Sequence, residues 1–398
     1  MQSPTAAAAA ASSTPAKAPE SPLLRRLPVP LVFLLLIVLS VTFIYRVAAP
    51  ISPSGRTRQW NRTFPFVLPA DDKLDAVDLR NKVEPVVGRF CPLQYHALGC
   101  SDRVQFNEPE KEEVRLAGVL QASAMEDRTV ILTTLNAAWA SNGTIIDLFL
   151  ESFRIGNGTR SLLDHLVIIA FDKKAYLRCA AIHHHCFALA TEGVDFSVQE
   201  NFMTDGYLKM MWRRIDFLRI VLEMGYNFIF TDADIMWFRS PLPRFFSDGD
   251  FQIACDQFYG DPLDRNNRPN GGFNFVKSNN RTIEFYKFWY SSRLKNPGFH
   301  DQDVLNIIKH DPFIDKIGLQ MRFLSTRFFG GICQPSRNFN EVCTMHANCC
   351  IGLLRKINDL GVMLEDWRSY MALPPALKLS KPLVWRVPQK CRLVSPHS

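Results

Sequence analysis

Three regimes of polar and apolar residues follow one another along this chain. Residues 1–26 are rich in Ala, Ser and Pro and offer nothing to build a core, which predicts a disordered cytosolic tail. Residues 27–45 are almost unbroken apolar sequence, about the length that spans a bilayer as one helix. A cleaved signal peptide would have a shorter apolar region ending at small residues. Here Tyr45 and Arg46 close the segment, so a transmembrane signal anchor is expected, with Ala48-Ala49 keeping the cleaved alternative open. Residues 46–110 alternate Pro, charged and short apolar pieces without a sustained period, and read as a stem. Regular patterning runs over 111–375, and 376–398 reads as a C-terminal tail.

Within the patterned region, 111–124 reads as a helix and 129–134 as a strand. In 142–154, Ile145, Ile146, Phe149, Leu150 and Phe153 share one helix face. A strand over 166–171 and a helix over 176–189 follow, then a helix over 205–224 and a strand over 227–231. Further on, 250–256 and 273–277 read as strands, and 281–293 and the residues after His300 as helices. Strands alternating with helices imply an α/β fold, a Rossmann-like and mostly parallel central sheet flanked by helices. With 47% hydrophobic and 12% aromatic residues there is ample material for one large domain.

The candidate chemistry gathers where the 227–231 strand stops. Its apolar run ends abruptly in Asp232-Ala233-Asp234 and then resumes as Ile235-Met236-Trp237-Phe238. Carboxylates directly after a buried strand sit at its carboxyl end, where open α/β sheets bind ligands. One intervening residue lets both reach a single hard cation, Mg²⁺ or Mn²⁺, shared with a substrate diphosphate. An ordinary Asp-rich turn is the bland reading, and the apolar stretch on the far side argues against it.

Other features are less decided. The helix over 205–224 buries Leu208, Met211, Ile215, Leu218 and Leu222, with Lys209, Arg213 and Asp216 together on a neighbouring face. That face is either solvated or leans over the diphosphate. Asn270-Gly271-Gly272 is a plain hairpin turn on local grounds, and a sugar-side loop once the acidic pair is considered. In His300-Asp301-Gln302-Asp303 the helix start accounts for one aspartate more easily than for two. His183-His184-His185 on a helix would point in three directions, so a metal site is rejected in favour of a polar surface turn. Cys343-Thr-Met-His346-Ala-Asn-Cys349-Cys350 could bind zinc, although disulfides suit a secretory chain better and free His346 for another metal. All ten cysteines lie beyond the apolar segment, as do the acceptor sequons at Asn61, Asn142, Asn157 and Asn280. Together they favour a lumenal body. Cys91–Cys100 is a candidate pair, or two unrelated thiols. The net charge of +7 is mild, and no basic cluster is dense enough to suggest nucleic acid.

Phe-Thr-Asp-Ala-Asp-Ile-Met-Trp-Phe, Arg-Pro-Asn-Gly-Gly-Phe-Asn, His-Asp-Gln-Asp-Val-Leu-Asn and Cys-Thr-Met-His-Ala-Asn-Cys-Cys, in this order, resemble one family. It is the plant nucleotide-diphospho-sugar transferase family that includes rhamnogalacturonan-II xylosyltransferases and extensin arabinosyltransferases. The resemblance implies a GT-A fold, a Golgi type II membrane protein, and Mn²⁺-dependent, retaining transfer from a UDP-sugar to a polysaccharide or glycoprotein acceptor. It carries the metal-ligand role to Asp232, Asp234 and His346, with Ala233 between the aspartates in the donor site. Thr133, Thr134 and Asn136 would contact the nucleotide, and Asn270, Gly271, Gly272 and Asn274 would line the sugar. Asp301, Gln302 and Asp303 would face the reaction centre. A pentose donor, arabinose or xylose, is suggested by the relatives alone; homo- or hetero-oligomeric assembly is left open.

Two rivals use the same motifs. A metal-dependent lumenal phosphohydrolase needs the acidic pair but has no use for Gly271-Gly272 opposite it. A non-catalytic scaffold of the same fold would be expected to have lost one of Asp232, Asp234 or His346.

Overall fold

Strands apolar on both faces must be covered on both sides, and the structure supplies two layers to do it. The computed structural model describes residues 109–189, 196, 203–380 and 383–391. In chain order the first five strands are β1 (Thr129–Leu135), β2 (Leu166–Ala170), β3 (Cys186–Ala188), β4 (Asn227–Thr231) and β5 (Ile235–Trp237). The others are β6 (Phe251–Gln257), β7 (Arg268–Val276), β8 (Met321–Phe323), β9 (Phe329–Gly331) and β10 (Thr344–His346). The helices begin with α1 (Pro109–Ser123), α2 (Ala137–Ala140), α3 (Ile145–Ile155), α4 (Lys173–Ile182) and α5 (Asp205–Glu223). They continue as α6 (Asn280–Ser292), α7 (Asp301–Ile308), α8 (Pro312–Lys316), α9 (Leu353–Met371) and α10 (Pro375–Ser380).

Seven strands form the central sheet in the order β3-β2-β1-β4-β7-β6-β8. Only β7 runs against its neighbours; the other pairings are parallel. Alternate residues feed alternate cores. Val130, Leu132, Phe228 and Phe230 enter a core shared with α1, α5, α6 and α7, while Ile131, Leu135 and Ile229 meet α3, α4 and α9 on the other face. Each of these fully buried side chains contributes roughly 1.5–3 kcal/mol, and β4 is accordingly apolar from Phe228 to Phe230, with the half-buried Asn227 at its start.

Two expectations are corrected, and one stretch with no expected element acquires one. The helix expected over 176–189 ends at Ile182, and Cys186–Ala188 instead extends the parallel ladder on β2. The Cys179–Cys186 disulfide folds the chain back between them, so the histidine run is an inter-element turn. His183 Nε2 lies 2.6 Å from the Leu166 carbonyl within that turn. Gly271 and Gly272 form neither turn nor loop; they lie inside β7, in the stretch where its register with β6 shifts. Finally, Ile235–Trp237 is a strand, β5, in a small second sheet of order β5-β10-β9.

Part of the expected C-terminal tail is packed structure. Residues 383–391 return along α9, burying Trp385, Val387 and Cys391, and Cys391 is bonded to Cys350. The fully buried Asp359 carboxylate accepts the backbone N–H groups of Gln389, Lys390 and Cys391 at 2.9, 2.9 and 3.0 Å. Asp359→Ala is therefore expected to cost about 3 kcal/mol, because three donors lose a charged acceptor. Urea denaturation measures it, and a loss below about 1 kcal/mol would show that this carboxylate does not anchor the segment.

The expected cytosolic tail, anchor and stem, the Cys91–Cys100 pair and the Asn61 sequon lie outside the described residues. Among the described residues no helix is long and apolar enough to cross a membrane.

Candidate active site

The chain steps outward from β1 to β2 to β3, then returns so that β4 pairs with the other side of β1. Where strand order reverses in this way, a crevice opens at the carboxyl ends of the two diverging strands. β1 ends there in Thr134, Leu135 and Asn136, and β4 ends in Asp232-Ala233-Asp234. One half of the cleft is walled by Thr134, Asn136, Trp139, Phe171, Met210 and Leu353. The other is walled by Asp256, Asn270, Gly271, Gly272, Asp301 and Gln302, while Tyr207, Arg214, Asp232 and Lys356 border both.

The second sheet is what completes the acidic cluster. Register places His346 opposite Ile235, so its Nε2 comes within 3.1 Å of Asp234 Oδ1. From the other side, Asp232 N–H donates to the Gly272 carbonyl at 2.7 Å. One ligand atom each from Asp232, Asp234 and His346 falls within 4.8 Å of the others. The absence of a side chain at Gly272 keeps this space open. A Cβ there would lie 2.6 Å from Asp232 Oδ2 and 2.7 Å from His346 Cε1. Two carboxylates and an imidazole around such a gap could hold a divalent metal ion.

The two aspartates are tuned in opposite directions. Burial would raise Asp234, but Lys356 Nζ at 2.5 Å from Oδ2, together with His346, holds it well below the usual carboxylate range. Enclosure raises Asp232, the neighbouring Asp234 charge adds to it, and Arg214 opposes both.

Arg214 is the residue that sequence reading missed. Its Nη1 donates to Asp232 Oδ1 at 2.9 Å and its Nη2 to Asp301 Oδ2 at 2.5 Å. The guanidinium also lies over the Phe230 ring, 4.8 Å from its centroid. One buried cation thereby ties Asp232 of the acidic cluster to the acidic motif that opens α7. The signal was present in the sequence: Met211, Arg214, Ile215 and Leu218 share a stripe, and a charge inside an apolar stripe needs a partner.

His300 is the cap of α7, with Nδ1 accepting from Gln302 N–H at 3.1 Å and Asp303 N–H at 3.4 Å. Trp289 Nε1 fixes the same turn through the Asp301 carbonyl at 2.9 Å. Asp301 is thus aimed into the cleft, whereas the Asp303 side chain is 45% exposed and borders neither half. Gln302 faces inward and accepts from Gly271 N–H at 3.0 Å. It donates to Asp256 Oδ2 at 2.9 Å, while Asn270 and Asn348 both donate to Oδ1 at 2.8 Å. Sequence reading passed over Asp256 and Asn348, which no local motif marks.

The remaining candidates separate. Thr133 is fully buried behind the cleft wall, and its Oγ1 has no hydrogen-bond partner. Asn274 is buried too, with Nδ2 3.4 Å from the Gly271 carbonyl. Lys209 is exposed and Arg213 pairs with Asp216 at 3.3 Å; neither borders the cleft. The cysteine island is disulfide-bonded in part, Cys349 to Cys333 and Cys350 to Cys391, with Cys343 a buried thiol. His346 is accordingly left to the acidic cluster.

A family model described as nucleotide-diphospho-sugar transferase matches residues 161–360. An uncharacterized protein of Arabidopsis thaliana is 47% identical over 314 residues, 79% of this chain and 83% of that protein. A beta-arabinofuranosyltransferase of Arabidopsis thaliana is 39% identical over 66 residues, 16% of this chain and 12% of that one. A UDP-D-xylose:L-fucose alpha-1,3-D-xylosyltransferase of the same plant is 25% identical over 133 residues, 31% of this chain and 37% of that one.

Proposed function

The chain belongs to the nucleotide-diphospho-sugar transferase family, and from that premise we propose that it moves a pentosyl group from a UDP-sugar to a glycan or glycoprotein hydroxyl. Membership makes it a glycosyltransferase with a nucleotide-sugar donor and a glycan acceptor. The carrying observation is that Asp232, Asp234 and His346 share one cleft with Asp301, joined through Arg214. We read the whole as a GT-A arrangement.

Asp232, Asp234 and His346 would hold Mn²⁺ or Mg²⁺. The ion would stabilise the charge that develops on the departing diphosphate. Thr134, Asn136 and the Trp139 wall would take the nucleoside, and Gly271 and Gly272 would leave room for the sugar beside the Asp256 amide cluster. As the bond from the anomeric carbon to the diphosphate breaks, its electron pair leaves with UDP and the acceptor oxygen forms the new bond. Asp301 would stabilise positive charge at the anomeric carbon. A retaining course is supported by the carboxylates: Asp303 lies outside the cleft, and Asp301 accepts from Arg214. The acceptor proton would then pass to the leaving diphosphate.

The arabinofuranosyl- and xylosyltransferase relatives support a pentose donor. A lumenal Golgi body behind a type II signal anchor is supported by three disulfides and by exposed sequon residues Asn142, Asn157 and Asn280. The test is turnover of a panel of UDP-sugars by the full-length protein with Mn²⁺, beside Asp234→Asn. One sugar should be consumed, with activity lost in EDTA and reduced at least about a hundredfold in the variant, the scale of one essential electrostatic contact. Folded protein that binds no UDP in the presence of metal would refute the reading.

A further inference from the structure

We propose that Lys356 competes with the divalent cation for Asp234, and that the nucleotide diphosphate relieves this competition. The inference rests on the reading that Asp232, Asp234 and His346 hold the cation. Asp234 is 1% exposed, with Oδ1 facing His346 and Oδ2 taken by the Lys356 ammonium at 2.5 Å. A divalent ion entering this enclosed cluster meets a positive charge already on the carboxylate it needs, and like charges at such range repel strongly.

Geometry gives the ammonium somewhere else to go. Lys356 projects from the first turn of α9, borders both halves of the cleft, and lies 5.5 Å from the Trp139 ring centroid in the half assigned to the nucleotide. Its stem is flexible and its head is a point charge, suited to moving between anions. Arg214 has no such freedom, because its fork is fixed between Asp232 and Asp301. A diphosphate in the cleft would draw the ammonium from Asp234 and free that oxygen for the cation. Linkage makes the effect reciprocal, so nucleotide and cation each strengthen the other's binding.

The experiment is Mn²⁺ titration of the full-length protein by calorimetry, with and without UDP, comparing wild type with Lys356→Met. Lys356→Gln serves as a second variant, and circular dichroism confirms folding. Without UDP the variants should bind Mn²⁺ about tenfold more tightly, toward the lower end of the usual range for such coupling. With UDP they should bind it no more tightly than wild type does. Equal tightening in both conditions would reduce Lys356 to a general electrostatic effect and overturn the proposal. Unchanged or weaker binding without UDP would overturn it as well, by showing that the lysine supports the ligand set. Wild-type protein that binds no Mn²⁺ in either condition would remove the functional reading and this inference together, whereas the other failures remove the inference alone.

Discussion

Arg214→Met is expected to cost about 3–5 kcal/mol of stability, the range for breaking a buried ion pair from one side, and to abolish sugar transfer. The lower end is favoured, because the Asp232 side chain is 27% exposed and water can serve it, whereas Asp301 is only 2% exposed. Met keeps the aliphatic volume and the contact with Phe230, so the loss isolates the charge. The sign of the pH dependence follows. Losing the guanidinium removes what opposes the raised Asp232 carboxyl, so its folded pKa lies further above the unfolded value, folding takes up protons and stability increases as pH falls. The deficit against wild type should therefore shrink between pH 8 and pH 5 in urea denaturation. Adding Asp301→Asn should recover part of it, since the two sites share a partner. Arg213→Ala, one residue away on a half-exposed pair with Asp216, should change stability by less than about 0.5 kcal/mol. Equal losses in the two variants would mean that the bridge to Asp232 and Asp301 contributes nothing.

That contrast also shows where sequence reading reached its limit. Periodicity located α5 and its buried stripe, and assigned Lys209 and Arg213 to a neighbouring face. It gave no weight to Arg214, because a charged residue inside an apolar stripe has meaning only once its partners are known. Those partners, Asp232 just past β4 and Asp301 at the start of α7, are brought to it only by the fold. Asp232 and Asp234 were legible for the opposite reason: they interrupt a run that is apolar on both sides, and the strand itself fixes where they sit. His346 came from the cysteine-rich island around it and from the resemblance rather than from periodicity, since a three-residue strand such as β10 has too few positions to show a period. The same brevity hid β3 and β5, which exist through pairing with β2 and β10. Asp256 and Asn348 were invisible because a hub of amides around one carboxylate is a property of the folded chain alone.

Gly272→Ala, one methyl group, should weaken Mn²⁺ binding at least tenfold, while Gly271→Ala leaves it nearly unchanged. Both glycines are strand residues in β7, so backbone freedom cannot separate them. Space does. At Gly271 a Cβ would meet Asp301 Oδ2 at 3.4 Å and Arg214 Nη2 at 3.6 Å, ordinary contact distances. At Gly272 it would meet Asp232 Oδ2 at 2.6 Å, His346 Cε1 at 2.7 Å and Asn270 Oδ1 at 2.9 Å, so at least one of these must move. Asp232 is held by Arg214 and by its own N–H on the Gly272 carbonyl, and His346 is held by the β5–β10 register. With both sides fixed, the strain falls on the ligand geometry, and overpacking of this kind costs about 1–3 kcal/mol in stability besides. Calorimetric Mn²⁺ titration with a urea curve on each variant separates the two effects. A Gly272→Ala protein that binds Mn²⁺ as tightly as wild type would place the cation somewhere other than between Asp232 and His346.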